Sequence, residues 1–541
     1  MRETFSTDAG TFVRRRGWLP RARTLLPATS EIVCAVASAL LLVFAFPDFG
    51  AWPLAWVALV PLLFAVARRP RPVQSFVTGW LAGTLFFYAS CYWLAYPMIH
   101  YAGIPAPLAY VLLLPPAAAG GLFPALAALA LARLCERWGA AALLLAPALW
   151  VACEWARLGV IGQLWNAVGY SQAFHPALIQ SARFGGVYAV SFLVLAFNAG
   201  VAYALIKRGI RGALVSLAVV ACVALAVYGT SLTKAPGTEP RTSAFVVAVQ
   251  PNVIPDFSRS ESEYERLRRR HFDLSDAGLL RVPGAFDDER PRVVVWPESP
   301  MNFTLQRDRR FREELAQYVG GRRVSLLFNS LEPAAGGGGY NAAVLVNEKG
   351  LLAAQYDKIR LMPFGEYVPI PRWLPGVGML GGVVGDFTPG ERYTLIPLGA
   401  GGQGPHAGTF ICLESAYPDI TRRLTQEGAD VLIEMTNDAY QGDTAILRQH
   451  LSNAVFRAVE TGRPLLRVTN TGISARVTER GEVSDETGRF VEAVRVWPVA
   501  RSGGGKTFYV RCGDAFAAAC SLVGLSALAL TLRRRSIAPG L

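Results

Sequence analysis

Residues 408–415 read Gly408-Thr409-Phe410-Ile411-Cys412-Leu413-Glu414-Ser415. An apolar, β-branched run stops at a cysteine, and Tyr417-Pro418-Asp419 just downstream opens a helix. A thiol on a strand-to-helix turn is exposed, and a helix N-terminus favours its thiolate. A cysteine buried in a strand would look the same on this segment alone, so the rest of the chain has to decide.

Working outward, the same grammar recurs. Ala244–Val249, Arg292–Trp296, Val324–Phe328, Ala342–Val346, Thr409–Leu413, Val431–Glu434 and Pro464–Thr469 are short apolar runs bounded by Pro, Gly or Asn, and each reads as a strand. Helical stretches with Arg and Glu on one side fall between them, at about 259–280, 308–320, 416–428 and 444–461. Val346-Asn347-Glu348-Lys349-Gly350 signals a hairpin. The block is therefore α/β, with no internal repeat visible in the sequence.

The flanks differ. Of 541 residues, 52% are hydrophobic and 17% charged, against about 25% charge in ordinary soluble domains. Apolar runs lie at about 32–46, 54–67, 76–96, 107–132, 140–156, 178–206, 212–229 and 515–532. A bilayer-spanning helix needs about 20 apolar residues, so these predict eight spans, the first two short. A cleavable signal peptide is disfavoured, since Phe46-Pro47-Asp48-Phe49-Gly50 leads straight into more apolar sequence.

Charge placement orients them. The net charge is +13, which could suggest nucleic acid, yet residues 238–514 hold 33 Lys+Arg against 34 Asp+Glu and the remainder 20 against 6. The excess sits in clusters between apolar runs: Arg14–Arg16, then Arg68/Arg69/Arg71, Arg133/Arg137, Lys207/Arg208/Arg211 and Arg533/Arg534/Arg535. Loops 47–53 and 97–106 carry no Lys or Arg. This predicts both termini in the cytoplasm and no nucleic-acid partner. The expected organisation is a basic cytoplasmic segment (1–30), spans one to seven (31–230), an extracytoplasmic catalytic domain (238–512), an eighth span (515–532) and a cytoplasmic tail (533–541).

Six cysteines fall in or beside the apolar runs, where Cys acts as a small hydrophobe, and Cys512 precedes the last run. Cys412 stands alone deep in the α/β block. Its conventional base, His406, follows Gly401-Gly402-Gln403-Gly404-Pro405 and reads as a surface-loop residue. Two better partners exist. Val293-Val294-Val295-Trp296-Pro297-Glu298-Ser299-Pro300 ends a buried strand on a carboxylate, and Tyr356-Asp357-Lys358-Ile359-Arg360 places a lysine among apolar residues. Taken singly, each reads as an ordinary surface charge.

In this order Glu298, Lys358 and Cys412 resemble the Glu-Lys-Cys triad of the nitrilase superfamily, and the membrane context resembles its membrane-bound branch, the apolipoprotein N-acyltransferases. Phe46–Gly50 with Trp52-Pro53-Leu54-Ala55-Trp56, Leu149–Arg157, Trp165–Gln172, Pro363-Phe364-Gly365-Glu366-Tyr367-Val368-Pro369, Thr436-Asn437-Asp438-Ala439 and Arg463–Gly472 extend the likeness over essentially the whole chain. The resemblance implies a polytopic α-helical membrane domain of eight spans bearing a four-layer α-β-β-α sandwich. It implies transfer of an acyl chain from a phospholipid, typically phosphatidylethanolamine, through a Cys412 thioester to the α-amino group of an S-diacylglyceryl cysteine on an apolipoprotein. It further implies a bacterial inner-membrane, multi-pass protein with its catalytic domain in the periplasm, taken as a monomer without cofactor or metal. Glu366 and Glu414 match the family's supporting acidic positions.

The chemistry suits these residue types. Glu298 is the expected general base, Lys358 the expected oxyanion donor that also favours the thiolate, and the two half-reactions predict ping-pong kinetics. Leu413 and Tyr440-Gln441 depart from the family pattern, which has Tyr and Trp-Phe there, and bear on substrate fit. The greasy segment Val368–Val384 is expected to be a lid over acyl chains. A membrane-tethered amidase that lets water finish the reaction is the rival enzyme. A transporter with a sensor domain is the rival class, and Glu154 and Arg183 are its few ionisable candidates.

Overall fold

The computed structural model describes residues 26–233, 241–256, 258–284, 289–334, 337–369, 386–399 and 404–532. The expected lid therefore lies outside the described residues from position 370 onward, as do the arginine clusters of both termini.

All seven expected strands form, at β1 (Ala244–Gln250), β2 (Arg292–Val295), β3 (Ser325–Pro333), β4 (Gly339–Val346), β7 (His406–Ile411), β8 (Val431–Thr436) and β9 (Leu465–Thr469). Five more complete the sheets: β5 (Leu352–Asp357), β6 (Leu395–Pro397), β10 (Ala475–Val477), β11 (Val483–Ser484) and β12 (Ala493–Val499). β5 is the second arm implied by the 346–350 hairpin signal, whereas β6, β10 and β11 escape a sequence reading at two or three residues and β12 carries Pro498, the mark of an edge strand. The 346–350 hairpin joins β4 to β5, with Gly350 at φ 75.

One sheet runs β12-β1-β2-β3-β4-β5 and the other β11-β10-β9-β8-β7-β6. Each has three parallel strands, two antiparallel strands beyond them, and an antiparallel strand on the opposite edge. The two halves thus repeat one topology although their sequences show no repeat.

Strand periodicity makes the layers. In β1, Phe245, Val247 and Val249 enter one core with Phe272, Phe311 and Leu315 of the helices Glu261–Leu279 and Arg309–Arg322. Ala244, Val246 and Ala248 enter the other, with Phe410, Ile433 and Val468 of the second sheet. Helices Pro418–Gln426 and Ile446–Thr461 cover that sheet's far face, giving the expected α-β-β-α order.

The 446–461 helix is the least solvent-exposed of the four expected helical stretches. Arg448 stays at the surface with Glu486, but Arg457 and Glu460 are fully buried and paired at 2.9 Å, because that side of the helix lies between the second sheet and the apolar helices. Arg457 also donates to the Tyr170 hydroxyl (3.1 Å), and Glu460 accepts Val187 N–H (2.8 Å) at a break in the helix Ala182–Ile206 where Gly186 takes φ 64.

Each of the eight apolar runs is helical. Among the described residues, Ala106–Ile161, Ala182–Ile206, Ile210–Ser231 and Ala515–Leu532 are long and apolar enough to cross a bilayer, whereas Thr29–Ala45 and Trp52–Arg68 are shorter. The 106–161 stretch breaks at Gly139 (φ 62) and its two limbs pack side by side. Glu154 is buried, accepting Trp150 Nε1 (3.0 Å) and Val168 N–H (2.9 Å). Arg183 donates to the carbonyls of Thr233 and Glu479, so it ties a helix to the α/β domain.

Candidate active site

The five residues singled out in the sequence converge at one end of the paired sheets. Glu298 follows β2, Lys358 follows β5, Glu366 lies in the tight Pro363–Tyr367 turn, and Cys412 follows β7. Lys358 is 1% exposed. Its Nζ donates to Glu366 Oε1 (2.9 Å) and Glu298 Oε1 (3.5 Å). Glu298 Oε2 accepts Asn437 N–H (3.2 Å), and Glu366 Oε2 accepts Met362 N–H (2.7 Å). Burial pulls the Lys358 ammonium down, but Glu298 and Glu366 outweigh it and hold its pKa well above the ordinary value. It stays charged.

Asn341 was not legible beforehand, yet it organises the cluster. Its Nδ2 donates to both Glu298 Oε1 (3.0 Å) and Glu366 Oε1 (2.6 Å), and its backbone carbonyl accepts Lys358 N–H (2.8 Å). Asn329 Nδ2 holds the amide oxygen at 2.6 Å and so fixes which end points inward. An asparagine at the mouth of an otherwise apolar strand was the available signal.

Cys412 sits at φ 53, a left-handed value that non-glycine residues rarely adopt. It begins a 3-10 turn, Cys412–Ala416, and the α-helix starts only at Pro418. The expected helix-favoured thiolate is therefore corrected. Burial first, and Glu298 next, push the thiol well up, and Lys358 does not offset them. At rest the sulfur is protonated and needs a base.

Glu414 is buried and acts as a clamp rather than facing outward. It accepts Ile411 N–H (2.8 Å) just before the nucleophile turn, and Ile359 N–H (2.8 Å) and Arg360 N–H (3.1 Å) just after Lys358. Tyr356 OH bonds both of its oxygens at 2.9 Å. Burial pushes the carboxyl up to about 7 against these donors.

His406 opens β7, six positions before Cys412, so it lies about 20 Å away at strand rise and is no partner for the thiol. The histidine that matters is His450, which the sequence reading passed over. It lies in a buried quartet with Glu434, Asp438 and Arg467. Glu434 and Arg467 are direct partners across β8 and β9. Opposite charges at matched positions of two apolar strands were the signal. Of the departures, Leu413 is half-buried, while Tyr440 feels the Glu298 charge and packs 5.5 Å from Tyr101 of the apolar-helix region.

Family models match both parts of this assembly: the apolipoprotein N-acyltransferase N-terminal domain over residues 38–200 and the carbon-nitrogen hydrolase domain over 293–507. An apolipoprotein N-acyltransferase of Geobacter metallireducens is 33% identical over 94% of this chain and 96% of its own length. The chain belongs to the apolipoprotein N-acyltransferase family. A second member, from Allorhizobium ampelinum, is 32% identical over 85% of this chain and 88% of its own. A solved amidase from Nesterenkonia sp. AN1 superposes with TM-score 0.37 at 16% identity, over 52% of this chain and 98% of that one. Family membership accounts for why an α/β domain with a candidate nucleophile shares one continuous core with apolar helices.

Proposed function

We propose that this chain carries an acyl chain from a membrane phospholipid to the α-amino group of an N-terminal S-diacylglyceryl cysteine, with Cys412 as the carrier. The observation that carries the reading is the Glu298–Lys358–Glu366–Asn341 cluster, electrostatically coupled to the half-buried Cys412 thiol, in a domain seated on apolar helices. Glu298 takes the thiol proton as sulfur attacks the ester carbonyl, and Lys358 Nζ stabilises the oxyanion. The C–S bond forms, the C–O bond breaks, and the proton leaves with the lysophospholipid. In the second half the amine attacks the thioester, Glu298 accepts its proton, and that proton returns to the departing sulfur as the amide forms.

In this reading the eight helical runs are eight spans of the inner membrane, both termini are cytoplasmic, and the catalytic domain lies in the periplasm. The Lys/Arg asymmetry of the short loops supports that orientation. Phosphatidylethanolamine is the expected donor. Incubating wild type with phospholipid alone should add a hydroxylamine-labile acyl mass that Cys412→Ser lacks. Release of free fatty acid, with no N-acylated product once acceptor is added, would instead establish a hydrolase.

A further inference from the structure

Beneath the nucleophile, the 446–461 helix presents two neighbouring side chains in different directions. Gln449 is 3% exposed and uses its whole hydrogen-bonding capacity on the apolar-helix region. Its Oε1 accepts Trp93 Nε1 and Trp165 Nε1, both at 3.0 Å, and its Nε2 donates to the carbonyls of Ser90 (2.9 Å) and Pro47 (3.2 Å). One amide thus gathers three segments distant in sequence: the loop after the first helix, the end of Pro72–Ser90, and the loop before Val168.

His450, the next residue, turns to the catalytic side. Its Nδ1 lies 2.7 Å from Asp438 Oδ1, and its Nε2 lies 3.1 Å from both Glu434 Oε1 and the Cys412 carbonyl. Every one of these neighbours is an acceptor, so both ring nitrogens must donate and the ring is an imidazolium. With Arg467 it neutralises the two carboxylates. The Trp165 ring, held by Gln449, packs against the His450 ring at 5.5 Å.

We infer that Gln449 and His450 are positioning residues that make the geometry of the nucleophile turn depend on seating of the membrane-domain loops. This rests on Cys412 being the nucleophile. A residue at φ 53 needs its surroundings to hold it there. Glu414 grips the chain before Cys412 through Ile411 N–H, and His450 grips the carbonyl of Cys412 itself. The second grip is anchored, through Gln449 and Trp165, in loops that close only when the apolar helices are packed.

The test uses full-length protein in detergent. Two rates are followed against pH: alkylation of Cys412 by iodoacetamide, read on its peptide by mass spectrometry, and acyl-enzyme formation from phospholipid. The groups facing Cys412 are Glu298, Lys358, Asp438 and Arg467, and His450→Gln removes a cation from beside them. That variant should move the alkylation profile to higher pH and slow acylation. Gln449→Met leaves the charges intact, so its profile midpoint should stay while acylation slows about tenfold at all pH. Trp93→Phe with Trp165→Phe deletes the indole donors together with part of each ring, leaves the catalytic domain's sequence untouched, and should slow acylation at least as much as Gln449→Met without moving the profile midpoint.

Combining Gln449→Met with His450→Gln should cost no more than the worse single change. Multiplying losses, an unmoved His450→Gln profile, or a double Trp variant within twofold of wild type would each overturn the inference. Failure of wild type itself to form an acyl-enzyme would instead remove the reading of Cys412 beneath it.

Discussion

At the scale of single residues, the site is a problem in keeping two carboxylates and one ammonium in register around a half-buried thiol. Asn341 solves it, since one Nδ2 touches both carboxylates while the backbone of the same residue holds Lys358. Asn341→Leu keeps the volume and removes that restraint. Hydrogen bonds to charged groups are worth about 1.5–3 kcal/mol, so acyl-enzyme formation should fall about 10- to 100-fold. Single-turnover acylation checks this, and an unchanged rate would mean that Lys358 alone organises the carboxylates. The sequence showed Glu298, Lys358, Glu366, Cys412 and Glu414 only through their order and motif context, since singly each reads as an ordinary charge or a buried cysteine. It did not show Asn341 or His450, whose types are ordinary and whose importance is entirely in what they touch.

At the scale of elements, the contact between the two parts is made by a helix that a soluble domain would expose. The 446–461 helix buries Gln449, His450, Arg457 and Glu460, and each finds its partner across a boundary between elements. Gly186 shows how closely the parts approach. Its φ is 64, and a Cβ there would sit 2.8 Å from the Tyr509 ring and 3.3 Å from Glu460 Oε1. Gly186→Ala should destabilise by about 2–4 kcal/mol, from left-handed strain and overpacking together. Gly229→Ala, in a helix with nothing within 4 Å, should be neutral or stabilise by up to about 1 kcal/mol. Thermal unfolding of both variants in one detergent compares them. Amphipathic reading failed on this helix because its polar side chains are matched to buried partners, which periodicity cannot see.

At the scale of the whole molecule, buried charges should set a pH optimum for stability. Burial and Arg467 pull His450 down, but Asp438 and Glu434 outweigh them and raise it from 6.5 to about 9. Its contribution is complete below pH 6.5 and is lost as pH rises through about 9, on the order of 3 kcal/mol. Burial raises Glu414 and Glu460 from 4.5 to about 7, so stability also declines between those values. Burial opposes Asp438 and Glu434 too, but His450 and Arg467 hold both below 3.8 and 4.5, so their contribution fails as pH drops through that range. The unfolding midpoint should therefore peak near pH 5 and fall toward pH 9. His450→Gln should erase the upper part of that decline, and a slope unchanged by this variant would count against a buried imidazolium.

Sequence alone determined the apolar runs, the α/β class, the charge asymmetry and the family's reactive side chains. Each is local, because hydropathy, strand alternation and motif order are properties of neighbouring residues. Only the tertiary structure decided that Cys412 rests as a thiol, that Glu414 clamps backbone, that two dissimilar halves share one sheet topology, and that a quartet of charges lies under the nucleophile. These depend on distance and burial between residues far apart along the chain. A charge's protonation and a carboxylate's partner are set by whatever folding brings within a few ångströms, which no stretch of sequence carries by itself.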